Sequence, residues 1–334
     1  MSFSHLLVIK LYQTSKIFIK KGILITMSKM KYNYNIINNM IHSPLCTNHK
    51  FAAIYRFINW QFYYRFVKNE RIYTFIDNQK LIATKNRASS TGNYYCGLAE
   101  YEEMAFIRHF MQQSNGIFLD IGANIGSYTV LALGASKDNY AISIEPSAET
   151  VSLLQNNISI NEMEQRCEIH NVGAGAVAGS ASFINNKDTV NRVLTNTESL
   201  ENQEDCVITI PIMTVDEIIQ NRDVQVMKID VEGLEYDVLV GAKGTLASPS
   251  LHAIIVELIG CDEKYGHSSH EATDLIMNNG FSQYTYNPST RQLIAYNENH
   301  NNSNNGIFIR NCDLEFVTAR LKEAHAFRVL KQNI

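Results

Sequence analysis

The chain has 334 residues, 45% of them hydrophobic, and a formal net charge of −4. That length holds one or two domains, and the apolar fraction is ample for a buried core, which excludes a disordered or fibrous chain. Six cysteines, at 46, 96, 167, 206, 261 and 312, form no CxxC pair and lie far apart; this excludes a disulfide framework or a zinc knuckle and points to a reducing, cytoplasmic setting.

Charge is unevenly spread along the chain. Residues 1–69 carry ten Lys or Arg and no Asp or Glu, whereas the remaining 265 residues carry 19 basic and 33 acidic groups. The acidic body argues against a nucleic-acid partner. The basic leader suits a weak contact with an anionic membrane surface or a polyanionic substrate. No run reaches the roughly 18–20 apolar residues that span a bilayer. Lys10, Lys16, Lys20 and Lys21 interrupt residues 5–26, which have no small-residue cleavage site, so no secretory signal is expected. Residues 1–26 are expected to be a non-structural extension, with Met27 and Met30 as alternative starts. Residues 27–88 are expected to form an N-terminal accessory segment. Within it, residues 51–66 (FAAIYRFINWQFYYRF) read as a helix with a broad aromatic face. Packing against the main domain is the expected use of that face, and a substrate-binding helix is the alternative. Residues 71–76 and 81–85 flank Asp77-Asn78-Gln79, a hairpin turn. Residues 91–97 read as a loop and residues 100–111 as an amphipathic helix.

From residue 117 strands and helices alternate, which predicts a parallel sheet covered on both faces. Strands are expected at 117–121, 140–144, 168–172, 226–231 and 252–257, and helices near 127–136, 147–160 and 235–246. Residues 180–212 read as an inserted hairpin or lid, and the 180–205 insertion and the aromatic 51–66 segment are expected to shape an acceptor pocket. A helix at about 270–279, a strand at 281–286, a turn at 287–290, a low-complexity loop at 297–305, a strand at 306–310 and a helix at 312–330 follow. His267 and His270, beside Ser268 and Ser269, read as a polar loop, and no metal site is expected.

The stretch 116–126, GIFLDIGANIG, carries most of the chemistry. It predicts a buried strand, a glycine turn and a helix start, where a ligand approaches the backbone closely. The dinucleotide fingerprint has glycine where this turn has Asn124, and Asp120 just before the turn is a poor neighbour for a pyrophosphate. A ligand with a cationic amine and a sulfonium suits it, which points to S-adenosylmethionine. Nineteen residues beyond Gly126, Glu145 ends the next strand, placed to accept hydrogen bonds from two ribose hydroxyls. A second constellation, Lys228-Ile229-Asp230-Val231-Glu232-Gly233, ends a further strand, and Glu257 ends the one after it. Asp120, Glu145, Asp230, Glu232 and Glu257 thus fall at the carboxyl ends of the strands, where ligands bind in open α/β sheets. Methyl transfer to a hydroxyl needs a base for its proton. Asp230 is the first candidate, with Glu257 second and Glu232 beside them; Asp230 and Glu257 are alternatively holders of the methionine amine or of acceptor hydroxyls.

These segments resemble the FkbM-type S-adenosylmethionine-dependent methyltransferases. The resemblance covers roughly 89–310 and is carried by FLDIGANIGSYTVLA (118–132), ISIEPS (142–147), LLQNNISIN (153–161), Thr214-Val215-Asp216, MKIDVEGLEYDVLVGA (227–242) and IIVEL (254–258). It implies a Rossmann-like class I sheet of seven strands, mostly parallel with one reversed, with helices on both faces. The methyltransferase domain would span 89–310, with a C-terminal helix at 311–334. It implies O-methylation of a sugar or other small-metabolite hydroxyl, and gives cofactor roles to Asp120, Gly122, Asn124, Gly126 and Glu145. A cofactor-binding but catalytically idle assembly partner in glycan biosynthesis, held at a membrane by its basic N-terminus, is the alternative reading.

Overall fold

A computed structural model describes residues 27–85, 87–185, 191–194, 206–258, 265–267, 270–297 and 304–334. The expected extension at 1–26, the core of the polar loop at 298–303 and most of the insertion between 186 and 205 lie outside these. Two compact units divide the chain, residues 1–59 and residues 60–334. No helix among the described residues is long and apolar enough to cross a membrane.

The first unit holds helix α1 (Met27–His42) and the start of α2 (Lys50–Phe66). Met40, Leu45, Cys46, Ala53 and Phe57 are buried there. α2 continues into the second unit, where Trp60 is buried against Tyr94, with ring centroids 5.8 Å apart. The opposite face of α2 is exposed, so burial accounts for only one side of its aromatic surface.

The second unit continues with an antiparallel hairpin, β1 (Glu70–Thr74) and β2 (Lys80–Thr84), as the turn residues predict. It is tied to the body through Asn157 and Asn161, whose Oδ1 atoms accept from the backbone N–H of Ile82 (2.9 Å) and Lys80 (2.8 Å). Next comes α3 (Ala88–Cys96), where the sequence predicts a loop. Gly92 and Asn93 are weak helix formers, but tertiary packing overrides that propensity: Thr91, Asn93, Tyr94 and Tyr95 are buried, and Asn93 Oδ1 accepts from Ala99 N–H at 2.9 Å. α4 (Tyr101–Phe110) has Glu102 and Glu103 in its first turn and Arg108 and His109 in its last, a pattern that complements the helix dipole.

The elements then run β3 (Ile117–Ile121), α5 (Ser127–Leu133), β4 (Tyr140–Ile144), α6 (Ala148–Ser159), β5 (Cys167–His170), β6 (Gly173–Ala174), β7 (Gly179–Ile184), β8 (Val207–Met213), α7 (Val215–Ile219), β9 (Val224–Ile229), α8 (Glu235–Val240), α9 (Lys243–Ala247), β10 (Ala253–Glu257), α10 (Glu271–Asn278), β11 (Phe281–Asn287), β12 (Gln292–Ala295), β13 (Asn305–Arg310), α11 (Leu314–Glu323), β14 (Arg328–Val329) and β15 (Gln332–Asn333). The main sheet has eight strands in the order β12-β11-β13-β10-β9-β3-β4-β5. β3, β4, β5, β9 and β10 are parallel, and β13 is reversed between β10 and β11. This is the expected class I sheet with one correction: an eighth strand, β12, pairs antiparallel with β11. The predicted turn at 287–290 is its hairpin bend, where Asn287 Oδ1 accepts from the N–H groups of Ser289 and Thr290. Four residues are too few to show an alternation that would announce β12.

Two predicted helices are shorter than expected. Residues 235–246 split into α8 and α9 because the chain turns at Gly241, where a Cβ would lie 2.1 Å from the Gly175 carbonyl oxygen. The C-terminal helix stops at Glu323, and β14 and β15 form a small hairpin beyond it. The insertion contributes a three-stranded sheet, β6-β8-β7. Strand order reverses between β3 and β9, which opens the ligand crevice at the carboxyl ends of β3, β4 and β9.

Candidate active site

The turn after β3 folds over that crevice through backbone bonds. The N–H groups of Gly122 and Ala123 donate to the Ile144 carbonyl (2.9 and 3.0 Å), and Asp230 N–H donates to the Ile121 carbonyl at 3.0 Å. Gly122 has φ +77°, and a Cβ there would sit 1.7 Å from the Asp230 carbonyl oxygen. Only glycine satisfies both the left-handed backbone and this approach. Asn124, at φ 50°, tolerates the same region, as asparagine does more readily than other side chains.

A cavity of about 330 Å³ opens above this turn. Asp120, Gly122, Asn124, Glu145, Asp230 and Glu232 all line it, so six of the sequence-predicted site residues meet in one place. Two do not reach its wall. Gly126 turns toward α6, where a Cβ would meet Leu154 Cδ1 at 2.1 Å, and it shapes the turn from behind. Glu257 lies beside Asp230, their carboxylate oxygens within 4.8 Å of one another. From the insertion, Phe183, Asn191, Val193 and Ile210 complete the wall. Tyr265 OH anchors that wall by donating to the Val193 carbonyl at 2.7 Å.

Glu145 is buried, and its two oxygens accept from Asn124 N–H (3.0 Å) and Ser147 N–H (2.9 Å). Burial nonetheless pushes its carboxyl up to about 7, because loss of hydration outweighs two backbone donors. Asp120 is buried too. Its Oδ2 accepts from Thr129 Oγ1 at 2.6 Å, and its Oδ1 has no hydrogen-bond partner. Burial raises the Asp120 carboxyl, and Lys228, its register partner on β9, pulls it back down.

Lys228 was legible only as part of a motif, yet it organises the site. It is the one charged residue of a strand that is apolar apart from Gln225, and that is the signal sequence reasoning passed over. Its Nζ donates to Asp230 Oδ2 at 2.7 Å and lies 4.6 Å from the centre of the Tyr128 ring. Tyr128 OH donates to Glu100 Oε2 at 2.6 Å, and Asn305 Nδ2 donates to Glu100 Oε1 at 3.0 Å. Burial pushes Lys228 down, but Asp230, Glu100 and Asp120 together raise it further, so it stays charged. On the other side of Asp230, its carboxylate and those of Glu232 and Glu257 offer oxygens within 4.8 Å of one another. Burial, with Asp230 and Glu232 adding to it, pushes Glu257 up to about 9. A proton on Glu257 relieves this crowding, and Lys228 holds Asp230 from the other side. Glu232 is held by the following turn at φ 58°, and Glu235 Oε1 shapes that turn by accepting from Val231 and Gly233 N–H (3.1 and 3.2 Å). Tyr128, Thr129 and Glu235 lie inside the segments that carry the resemblance, which gives them no role, and the sequence marks Glu100 only as the start of a helix.

S-adenosylmethionine fits this site on three observations. The free Oδ1 of buried Asp120 offers an acceptor to a cationic amine. Glu145, fixed by two N–H donors, faces the cavity as a carboxylate for ribose hydroxyls. Gly122 leaves the space that any side chain would fill. The acidic lining suits a sulfonium and disfavours phosphates.

No curated protein matches the chain. Among solved structures, a methyltransferase FkbM from Methylobacillus flagellatus KT is similar at 17% identity and TM-score 0.39, over 58% of this chain and 43% of that one. The O-methyltransferase from Bacillus cereus in complex with SAH is similar at 11% identity and TM-score 0.34, over 62% and 80% of the two chains. An rRNA methylase from Streptococcus thermophilus is similar at 11% identity and TM-score 0.34, over 62% and 93%. The methyltransferase FkbM domain model matches residues 120–288, which run from the glycine turn past the last parallel strand of the core and hold every carboxylate of the site but Glu100. The chain belongs to the FkbM methyltransferase family, with S-adenosylmethionine as its cofactor.

Proposed function

We propose that the protein is an S-adenosylmethionine-dependent O-methyltransferase acting on a hydroxyl of a sugar, a glycan precursor or another small metabolite. One observation carries this reading: Asp230, hydrogen bonded by Lys228 at 2.7 Å, stands on the cavity wall beside the cofactor turn. When bound, the cofactor supplies an electrophilic methyl group on a sulfonium. Asp120 Oδ1 would hold its amine and Glu145 its ribose. Asp230 would take the acceptor's hydroxyl proton as that oxygen bonds to the methyl carbon and the carbon–sulfur bond breaks to leave a neutral thioether, and Lys228 keeps Asp230 aimed. Glu257, protonated beside it, steadies Asp230, and Glu232 holds acceptor hydroxyls from the opposite side of the turn. Turnover measured with and without EDTA decides whether Asp230, Glu232 and Glu257, whose oxygens lie within 4.8 Å of one another, use a divalent cation. The described cysteines are all free, which supports a reducing, cytoplasmic setting.

Labelled methyl donor, incubated with the protein and an extract of its host, tests the reading. Label should enter a hydroxylated, alkali-stable product. Calorimetry should show S-adenosylmethionine binding and no NAD binding. Cofactor binding without any transfer would favour the idle assembly partner instead.

A further inference from the structure

The apolar surface of α2 is divided between two faces. Ala53, Phe57 and Trp60, spaced four and three residues apart, are buried. Tyr55, Ile58, Phe62 and Phe66, spaced three, four and four residues apart, form a second stripe along the same helix. These four are between 49% and 66% exposed, and Val67 just beyond the helix is 59% exposed. Phe62 and Phe66 pack on each other with ring centroids 4.8 Å apart. Neighbouring exposed rings of this size on one helix mark a contact surface.

The charge around the stripe selects the partner. Arg65 neighbours Phe62 on the helix surface, and Lys50, Arg65 and Lys68 are exposed. Residues 1–69 as a whole carry ten basic and no acidic groups. An anionic bilayer surface meets both demands: its acyl boundary receives Phe and Ile, its headgroup layer receives Tyr, and its negative potential attracts Lys and Arg. A polyanionic glycan answers the charge and leaves the rings in water. A second copy would bring its own cations against these.

We propose that α2 lies in the interface of an anionic membrane, with Tyr55, Ile58, Phe62 and Phe66 seated at the headgroup–acyl boundary and Arg65 and Lys68 on the headgroups. This contact is peripheral and stands independently of the methyl-transfer reading. It would bring the enzyme to a surface where lipid-linked acceptors are concentrated.

The full chain, sedimented with phosphatidylcholine vesicles with and without phosphatidylserine, tests this. The wild type should pellet with the anionic vesicles and lose binding as salt rises. Phe62→Ser/Phe66→Ser should weaken partitioning on the order of ten-fold or more, and Arg65→Glu/Lys68→Glu by a similar factor, with unchanged thermal melts. Tyr55→Ser/Ile58→Ser provides a second pair should the first disturb folding. The proposal fails if the wild type stays in the supernatant with anionic vesicles, or if the Phe pair pellets like the wild type. It also fails if the wild type sediments as a dimer that the Phe pair dissolves, which would give the stripe to a second copy. Binding to heparin but not to vesicles, lost in the charge-reversed pair and kept in the Phe pair, would give it to a polyanion.

Discussion

The carboxyl edge of the main sheet and the outer face of α2 invert the usual sorting of side chains in opposite ways. At the sheet edge Asp120, Glu145 and Lys228 are buried, where charges are rare; on α2 large rings are exposed, where they gain nothing from water. The difference lies in compensation. In the pocket nearly every buried polar atom has a partner inside the chain: Glu145 has two backbone donors, Asp230 has Lys228, and Lys228 has the Tyr128 ring. The exceptions are Asp120 Oδ1 and Asn124 Oδ1, both on residues that line the cavity. The outer stripe of α2 remains largely exposed, and its compensation must come from outside. A compensated inversion is a preorganised site; an uncompensated one is a surface that expects a partner.

That comparison is broken most severely at Asp230. Asp230→Asn should lower turnover by about 10²–10⁴-fold while calorimetry shows nearly unchanged cofactor affinity. Persistent turnover would move the base elsewhere. Lys228→Met removes the cation shared by Asp120, Asp230 and Glu100, and should cost about 3–5 kcal/mol in denaturant unfolding near neutral pH. Gly122→Ala forces a methyl group onto the Asp230 carbonyl, and should cost about 3 kcal/mol or more together with cofactor binding, read by thermal melt and titration calorimetry.

The pH dependence sharpens the same contrast. Glu257 and Glu145 titrate at about 9 and about 7 in the folded protein, above the ordinary 4.5 for glutamate. The folded state therefore holds more protons than the unfolded chain between those values. Their contribution to stability is full below about pH 4.5 and is lost as pH rises through about 7 and about 9. His109, which burial pushes down to about 4 from 6.5, works the other way, its contribution fading as pH falls below about 6.5. The carboxylate effect is thus read above that point: apo-protein stability should decline by on the order of 1–2 kcal/mol from about pH 6.5 to about pH 9. Glu257→Gln should flatten the upper part of that decline. The smallest effect belongs to the other region. Phe62→Ser/Phe66→Ser should change folding stability by no more than about 0.5 kcal/mol per site, because those rings are not part of a core.

The sequence by itself determined the order of the core strands along the chain, the glycine turn after β3 and the positions of the carboxylates at strand ends. These are local matters: apolar runs, backbone stereochemistry at Gly122 and the two-residue alternation that sends Lys228 and Asp230 to one side of β9. Only the tertiary structure decided which of those groups face the cavity. Asp230 lines it and Glu257 does not, although both stand at the ends of core strands. Lys228 became the partner of Asp120 and Asp230 only when β3, more than a hundred residues upstream, paired with β9. α3 became helical where its composition reads as a loop, because buried contacts outweighed propensity. The same long-range packing chose which rings of α2 are hidden and which are left outside, since helical spacing defines the faces of an element and only its neighbours decide which face they cover.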